Sequence, residues 1–382
     1  MRKDYKRIGD FISRISDRNR EGTYSKLLGI NIDNFFMPSI INRVGVNLKN
    51  YKIVKQYQFA CNRMHVGRDY RIPIAMSNSI KPFIVSPAYD VFEVTKPEVL
   101  MPEYLMLWFK RKEYDRNAWF HTDGDVRGGL PWEAFCDIKI NIPSIEKQRE
   151  IVAEYQAVEN KIKTNEQICE KLEAAAQALY KHWFVDFEFP NEEDMPYKSS
   201  GGAMVYNEEL EKEIPEGWEV KELNFLLDIK YGKSYKHLNQ GKIPLYGSGG
   251  IMSYVDDYLY DKPSVLIPRK GTLTNIIYID EPFWSVDTMF YSILKNKHFG
   301  FYTFWYLKNL DFIALNVGSA VPSMTTRLLN SMDITLPNIS ILKSFSKKLD
   351  AFHKLKKNRH QANNNLRLLQ EIILSRMVKN EI

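Results

Sequence analysis

The sequence predicts an α+β protein in which two repeated globular domains are separated by two long helices that form an antiparallel coiled coil. Three observations predict this fold. First, two similar segments, each with the pattern strand, proline, helix, lie about half a chain apart. Second, a heptad pattern follows the proline of each segment. Third, short strand-like runs broken by Gly, Pro and Asn precede each segment. A chain of 382 residues also exceeds the usual size of one core.

The first globular domain is predicted at residues 1–143 and the second at 216–337. The first ends in Lys139-Ile140-Asn141-Ile142-Pro143 and the second in Asp333-Ile334-Thr335-Leu336-Pro337. Each also contains an aromatic helical pattern, around Tyr104 to Phe109 and around Phe301 to Tyr306, and in this comparison Trp108 corresponds to Trp305. The chain therefore reads as a repeat of itself.

The long helices are predicted at 144–183 and 338–379. The first would be roughly 58 Å long at ~1.5 Å per residue, which is typical of a spacer. Apolar side chains recur at intervals of three and four residues in both, as expected of pairing helices. The positions predicted to pair are Ile151, Tyr155, Val158, Ile162, Asn165, Leu172 and Leu179, and Leu342, Phe345, Leu349, Phe352, Leu366 and Ile373.

Both heptad patterns are polar near their centre. In an antiparallel pair, Asn165 is expected roughly opposite Lys356 and Arg359, where a polar layer would fix register at some cost in stability. The alternative is that each helix buries its apolar stripe against its own globular half, and the heptads leave this open.

Residues 184–215 are predicted as an exposed acidic linker. They contain Pro190, Pro196 and the Ser199-Ser200-Gly201-Gly202 run, together with dense Glu and Asp. The net charge of the chain is +6, and the basic excess lies outside this segment, in residues 1–143 and 338–382. Such an uneven distribution favours a polyanionic partner more than the total charge does.

Composition argues against membrane and secreted classes. No apolar run approaches the ~20 residues of a spanning helix, and the first residues lack the apolar core of a signal peptide, so a cytoplasmic location is expected. Cys61, Cys136 and Cys169 are odd in number and far apart, which predicts reduced thiols and no structural zinc site.

The sequence offers no recognisable catalytic or cofactor site. Gly232-Lys233-Ser234 resembles the end of a phosphate-binding loop, but Leu227 replaces the required glycine. Gly247-Ser248-Gly249-Gly250 lacks dinucleotide-binding spacing and is interpreted as a turn. No metal-binding pattern or methyltransferase motif is found, so we expect a chain without catalytic residues, metal or bound cofactor.

Basic loops after strand-like runs are the candidates for binding DNA. Arg and Lys can bond guanine O6 and N7, Asn can bond adenine, and other basic side chains can hold phosphates. Ordinary solvated loop charge is the alternative for each residue. The candidates are Arg63, His65, Arg68, Arg71, Arg127, Lys230, Lys233, Lys236, Arg269, Lys270, Thr272 and Asn275.

Two segments give the chain a resemblance to the specificity subunits of Type I restriction-modification systems. They are Ile142-Pro143-Ser144-Ile145-Glu146-Lys147-Gln148-Arg149-Glu150-Ile151-Val152 and Ile214-Pro215-Glu216-Gly217-Trp218-Glu219-Val220-Lys221-Glu222-Leu223. The first resembles the start of the family's central helix, and the second resembles the entry to its second target-recognition domain. The second helix departs from the pattern because Leu336-Pro337-Asn338-Ile339 lacks the following Gln-Arg-Glu.

The resemblance implies that each domain reads one half of a split DNA target and that the helices set the gap. It also implies assembly with two methylation subunits, which bind S-adenosylmethionine, and with motor-nuclease subunits, which use ATP and Mg. A coiled-coil adaptor that binds other proteins explains the helices equally well but leaves the basic loops without a role. A nuclease or methylase acting alone and a standalone DNA-binding regulator are further alternatives.

Overall fold

The computed structural model describes residues 5–39, 46–64, 66–122, 129–312 and 323–379. The chain forms two compact units: unit 1 comprises residues 1–165 and 361–382, and unit 2 comprises residues 166–360. Both units mix helices with strands, in agreement with the predicted α+β class. Within the described ranges, no helix is long and apolar enough to cross a membrane.

The first part of unit 1 is built from short strands followed by short helices. Two 3-10 turns lie at Ile8–Asp10 and Leu48–Asn50. The strands and helices are β1 (Tyr5–Arg7), β2 (Ile12–Ile15), β3 (Leu28–Ile30), β4 (Phe36–Pro38), β5 (Lys52–Val54), β6 (Phe59–Cys61), α1 (Val66–Asp69), β7 (Ile74–Met76), β8 (Phe83–Val85), β9 (Asp90–Val94), α2 (Pro102–Phe109), α3 (Lys112–Phe120), α4 (Trp132–Asp137) and β10 (Lys139–Asn141).

An antiparallel sheet of order β2-β9-β6-β7 organises unit 1. Phe59 and Phe92 are register partners in this sheet, and their rings stack at 4.9 Å under the side chain of Phe109 from α2. Strand β1 pairs with β10, so the beginning and end of the first 141 residues are joined. The core of unit 1 therefore lies between the sheet and α2.

The chain continues as α5 (Ile145–Phe184) and then enters the strands of unit 2. A 3-10 turn lies at Leu223–Phe225. The remaining elements are β11 (Met204–Asn207), β12 (Lys212–Pro215), β13 (Glu219–Glu222), β14 (Leu227–Tyr231), β15 (Gln240–Gly247), β16 (Gly250–Val255), β17 (Ser264–Pro268), β18 (Ile277–Ile279), β19 (Trp284–Ser285), β20 (Met289–Leu294), α6 (Phe299–Lys308), α7 (Thr326–Asn330), β21 (Asp333–Leu336) and α8 (Ile339–Lys379).

The main sheet of unit 2 has the order β14-β20-β17-β18 and is antiparallel throughout. The two main sheets share one strand order. If the four strands of each sheet are numbered along the chain, they lie in the order 1-4-2-3 across the sheet in both units. Strand β13 pairs with β21, as β1 pairs with β10. A further sheet of order β16-β15-β19 carries the hairpin β15–β16.

Equivalent hydrogen bonds recur in the two units. The amide of Ile8 donates to the carbonyl of Ile138 at 2.9 Å, and the amide of Leu223 donates to that of Met332 at 2.8 Å. The buried Tyr104 hydroxyl donates to the Asn141 carbonyl at 3.1 Å, and Tyr302 donates to the Thr335 carbonyl in the same way. If Tyr104 and Tyr302 are taken as equivalent positions, Trp305 corresponds to Leu107. This is one residue away from the predicted correspondence with Trp108.

The first turn of α5 is fixed by Gln148, whose side chain is fully buried. Its Oε1 accepts from the Met101 amide at 2.9 Å, and its Nε2 donates to the carbonyls of Val99 and Pro143 at 2.8 and 2.9 Å. In α8 the corresponding link is a Ser346 hydroxyl that donates to the His298 carbonyl at 3.1 Å. Each bond ties a long helix to the loop before an aromatic helix.

Within unit 1, α5 and α8 pack in opposite directions. Ile151, Tyr155, Val158, Ile162 and Ile373 are buried in one core cluster, with Leu366 packed against it. Asn165 donates from Nδ2 to Oδ1 of Asn363 at 2.7 Å, and both side chains are buried. The predicted partners Lys356 and Arg359 were therefore wrong, by about one to two helical turns, because heptads constrain the face of a helix more tightly than its register.

Within unit 2, the two helices again contact each other in opposite directions. Leu342, Phe345 and Leu349 are buried with Trp183, while Leu179 and Phe352 pack against this cluster and Leu172 is half-buried. Lys356 contacts Glu173, which also pairs with Lys308 from α6.

Residues 184–215 differ from the exposed linker expected from the sequence. Phe187, Phe189 and Ile214 are buried, and β11 pairs with β12 in a hairpin. Phe189 stacks on Trp218 at 5.2 Å. The acidic composition concealed this packing, because apolar residues spaced among carboxylates can still face a core while the charges remain in water.

Candidate nucleic-acid interface

In unit 1, Arg63 follows β6 but turns back into the protein. Its Nε donates to Oδ2 of Asp90 at 2.6 Å, its Nη1 donates to the Leu130 carbonyl, and its guanidinium lies 5.6 Å from the Trp132 ring. Asp90 is buried and also pairs with Arg14. Because the Arg63 side chain is only 15% exposed, the geometry favours a structural role over contact with a base.

Arg68 and Arg71 are more accessible, and each is paired with carboxylates. Arg68 Nε lies 2.7 Å from Oδ1 of Asp69. Arg71 Nη1 lies 2.8 Å from Asp33, and its Nε lies 3.5 Å from Asp115. Contact with DNA would require phosphates or bases to compete with these carboxylates. His65 and Arg127 lie outside the residues that the structure describes.

In unit 2, residues 285–288 form a hub on which three basic or glycine-rich segments converge. The Lys233 amide donates to the Ser285 carbonyl at 2.8 Å, and a side chain at Gly232 would collide with the Val286 carbonyl. The Val286 amide donates to Tyr246 at 2.9 Å, and the Arg269 amide donates to Thr288 at 2.9 Å. Backbone bonds therefore hold these segments at one place.

The loop after β17 is also tied to the turn of hairpin β15–β16. Asn275 donates from Nδ2 to the Ser248 carbonyl at 3.0 Å. Gly271 has a φ of 80°, a conformation that favours glycine, and a Cβ there would lie 2.8 Å from the Ser248 hydroxyl. Asn275 thus has a structural bond in addition to any contact with DNA.

The predicted cations of unit 2 are mostly accessible to solvent. Lys230, Lys233, Lys236 and Lys270 are exposed, and Arg269 is half-buried with its guanidinium 5.4 Å from the Tyr231 ring. Thr272 is exposed and Asn275 is half-buried. The hub brings together Lys233, Arg269, Lys270, Thr272 and Asn275, whereas Lys230 and Lys236 lie on the flanks of the Lys233 segment.

Sequence reasoning missed two features of these sites. The ion pairs of Asp90 join residues far apart in the chain, and no local pattern indicates them. Hairpin β15–β16 exposes Ile251, Met252 and Tyr254 next to the loop at 269–275. The sequence signal for this exposed surface was the apolar residues that immediately follow the glycine-rich turn.

The three thiols show no sign of activation. Burial raises the pKa of Cys61, Cys136 and Cys169, which disfavours the nucleophilic thiolate in each. Among the described residues, no group of three or more His, Cys, Asp or Glu side chains is arranged to hold a metal ion. The accessible cations are therefore the more informative feature of the surface.

Comparisons with known proteins agree on one family. Residues 215–367 match the model of the Type I restriction modification DNA specificity domain. The MjaIX specificity subunit of Methanocaldococcus jannaschii, a Type I restriction enzyme subunit, is 27% identical over 315 residues, which span 74% of this chain and 69% of that protein. The HindI specificity subunit of Haemophilus influenzae is 26% identical over 49% of this chain and 41% of its own length.

The fold is also similar to a solved structure. The crystal structure of a Type I system S subunit from M. genitalium aligns with a TM-score of 0.57 over 98% of this chain and 95% of that one, at 14% identity. This similarity supports the mixed helix and strand architecture as a whole.

Proposed function

We propose that this chain, a homologue of the specificity subunits of Type I restriction-modification systems, binds double-stranded DNA and selects the sequence on which partner subunits act. Specificity subunits are non-catalytic, so the chemistry belongs to the partners. The observation that carries the proposal is the specificity-domain match at 215–367, because those residues include the cationic segments that meet at 285–288. Polyanionic DNA suits such a surface.

The target is bipartite, with one half-site for each globular domain. The shared strand order of the two main sheets and the equivalent bonds of Tyr104 and Tyr302 support an internal repeat. On this proposal, residues 1–143 and 216–337 are the two target-recognition domains, and residues 184–215 connect helix α5 to the second.

The long helices at 144–183 and 338–379 form an antiparallel coiled coil that sets the gap between half-sites. The opposed contacts of Asn165 with Asn363, and of Trp183 with Phe345, support this pairing. Two methylation subunits that bind S-adenosylmethionine dock on this chain, and motor-nuclease subunits supply ATP- and Mg-dependent cleavage. The chain itself carries no cofactor, and the complex works in the cytoplasm on adenines of the target.

Single-molecule sequencing of adenine methylation tests the proposal. Cells that express this chain with its neighbouring methylation subunit are compared with cells that lack only this chain. We expect a new split motif whose methylation depends on this chain. A stable complex with the methylation subunit that methylates no motif would contradict the proposal and favour a protein-binding adaptor.

Exchange of residues 1–143 for the corresponding domain of another member tests the modular part. Only one half of the methylated motif should change, because the other domain is untouched. A change in both halves would refute one domain per half-site. Steep salt dependence of DNA affinity provides a further separation from an adaptor, since phosphate contacts release counterions.

A further inference from the structure

The tip of hairpin β15–β16 is an exposed apolar surface in a cationic setting. Residues 247–254 contain no charged side chain. Met252 and Ile251 are 55% and 50% exposed, and the Tyr254 ring is also half in solvent. Exposing consecutive apolar side chains on a narrow strand pair is costly in water, which points to a surface that becomes covered on binding.

The tip is held rigidly in place. Gly250 has a φ of 110°, which closes the turn in a conformation that other residues rarely adopt. The Asn275 side chain supports the Ser248 carbonyl at 3.0 Å, and the Val286 amide donates to Tyr246 at 2.9 Å. A partner would therefore meet a preformed ribbon, with little ordering cost on binding.

The charges around the tip match a polyanion. Arg269 and Lys233 are each bonded to the hub at 285–288, through Thr288 and Ser285, and Lys270 follows Arg269 directly. Across the segments 229–238, 247–254, 268–275 and 285–288, Asp287 is the single acidic residue. Asp256, at the opposite end of the hairpin, is bonded to Asn239 at 2.9 Å and lies away from the turn.

We propose that the hairpin β15–β16 enters the DNA major groove, with Ile251 and Met252 packed against thymine C5 methyl groups. This inference rests on the proposed function and deepens it. The major groove admits a two-stranded ribbon, and the thymine methyl is the one apolar group that it presents. Lys233, Arg269 and Lys270 hold the flanking phosphates. Asn275 is then a positioning residue for the turn.

Replacement of thymine by uracil, which removes only the methyl group, tests the contact. The complex of the full chain with its methylation subunits is titrated with duplexes that carry its methylated motif, each with one thymine of either half-site changed to uracil. Wild type should lose about fourfold in affinity at one or two positions, the effect of burying one methyl group. Those positions should lie in the half-site that persists after exchange of residues 1–143.

The Met252→Ala and Ile251→Ala complexes should bind the thymine and uracil duplexes at those positions with equal affinity. Met195→Ala is the matched control, because Met195 is 51% exposed in the acidic segment and should leave the wild-type ratio unchanged. Asn275→Ala should weaken binding and reduce the thymine preference together, since it removes the support of Ser248.

Wild-type indifference to uracil at every thymine, or a half-site without an A·T pair, would overturn the inference while leaving the methylated motif and the proposed function intact. Weaker capture of the methylation subunit by Met252→Ala, with an unchanged thymine preference, would instead assign the tip to a protein contact. Absence of any methylated motif would overturn the proposed function itself.

Discussion

Arg63 and Arg269 follow structurally equivalent strands, yet replacing each by alanine should impair a different property of the protein. Arg63→Ala removes a guanidinium that bonds the buried Asp90 and the Leu130 carbonyl. Arg269→Ala removes a half-buried guanidinium whose hydrogen bond is a 3.3 Å contact with the Asp287 carbonyl. The first change should therefore lower the stability of unit 1, and the second should weaken DNA binding.

The loss of stability expected for Arg63→Ala follows from the buried Asp90 carboxylate that remains after the substitution. Breaking a buried ion pair by removing one partner costs about 3–5 kcal/mol. Arg14 still pairs with Asp90 after the substitution, so we expect a loss near the lower limit, about 3 kcal/mol. For Arg269, the loss of stability should stay within about 0.5 kcal/mol, as for other surface substitutions.

Hydrogen exchange at increasing urea concentration separates these effects by unit. Peptides that cover β6 and β9 should lose protection in Arg63→Ala, while peptides of unit 2 keep theirs. Asp90→Asn is the companion variant, because it disrupts the same pairs while Arg63 stays in place. In Arg269→Ala, protection should persist and the salt dependence of DNA affinity should fall by about one phosphate contact.

An Arg63→Ala variant that kept its protection and lost preference at one base pair would refute the structural role of Arg63. That result would mean that the Arg63 guanidinium leaves Asp90 to read DNA. Loss of unit 2 protection in Arg269→Ala would likewise remove the contrast between the two arginines.

Two further predictions concern the long helices. Asn165→Leu should destabilise the chain by about 1–3 kcal/mol, because Asn363 is left buried without its amide partner. In a urea double-mutant cycle, the variant that carries both Asn165→Leu and Asn363→Leu should recover most of this loss. Equal losses in the single and double variants would show that the amide pair is not the cause. Burial raises the pKa of Glu173, but hydrogen bonds from Lys308 and Lys356 outweigh it and lower the pKa to about 2. Because the folded-state pKa is depressed, this carboxylate contributes stability above the unfolded value of about 4.3 and loses it as the pH falls towards 2. Urea midpoints of Glu173→Gln should therefore decline less over that interval, and a decline parallel to wild type would contradict the assignment.

The sequence was most informative where a pattern extends over many residues. The helices predicted at 144–183 and 338–379 lie at Ile145–Phe184 and Ile339–Lys379 in the structure. Such long helices can be located from the sequence because the heptads persist for about 40 residues and a proline precedes each start. The register was not predictable, since Asn165 meets Asn363 through tertiary contacts that heptads do not encode. Strand order was equally inaccessible, because it depends on pairing between distant segments such as β2 and β9.

Single basic residues were the least predictable part of the candidate site. Arg63 and Arg269 both follow a strand and precede a loop, and only the position of Asp90, 27 residues further along the chain, separates them. Met252 was overlooked for the converse reason, since an apolar residue in a strand is usually interpreted as core. Met252 is instead 55% exposed in edge strand β16, and no local pattern specifies which strand lies at the edge of a sheet.

The segments that carry the family resemblance build the frame that supports the proposed reading surface. In the first segment, 142–152, the Gln148 side chain makes three hydrogen bonds to the backbone of Val99, Met101 and Pro143. In the second segment, 214–223, Trp218 is buried against Phe189. Ile251 and Met252, which are proposed to meet bases, are exposed at the start of strand β16, so their side chains can change while the buried residues of the frame persist. Similarity in the frame therefore carries no information on the bases that the proposed reading surface would contact, and the methylated motif has to supply them.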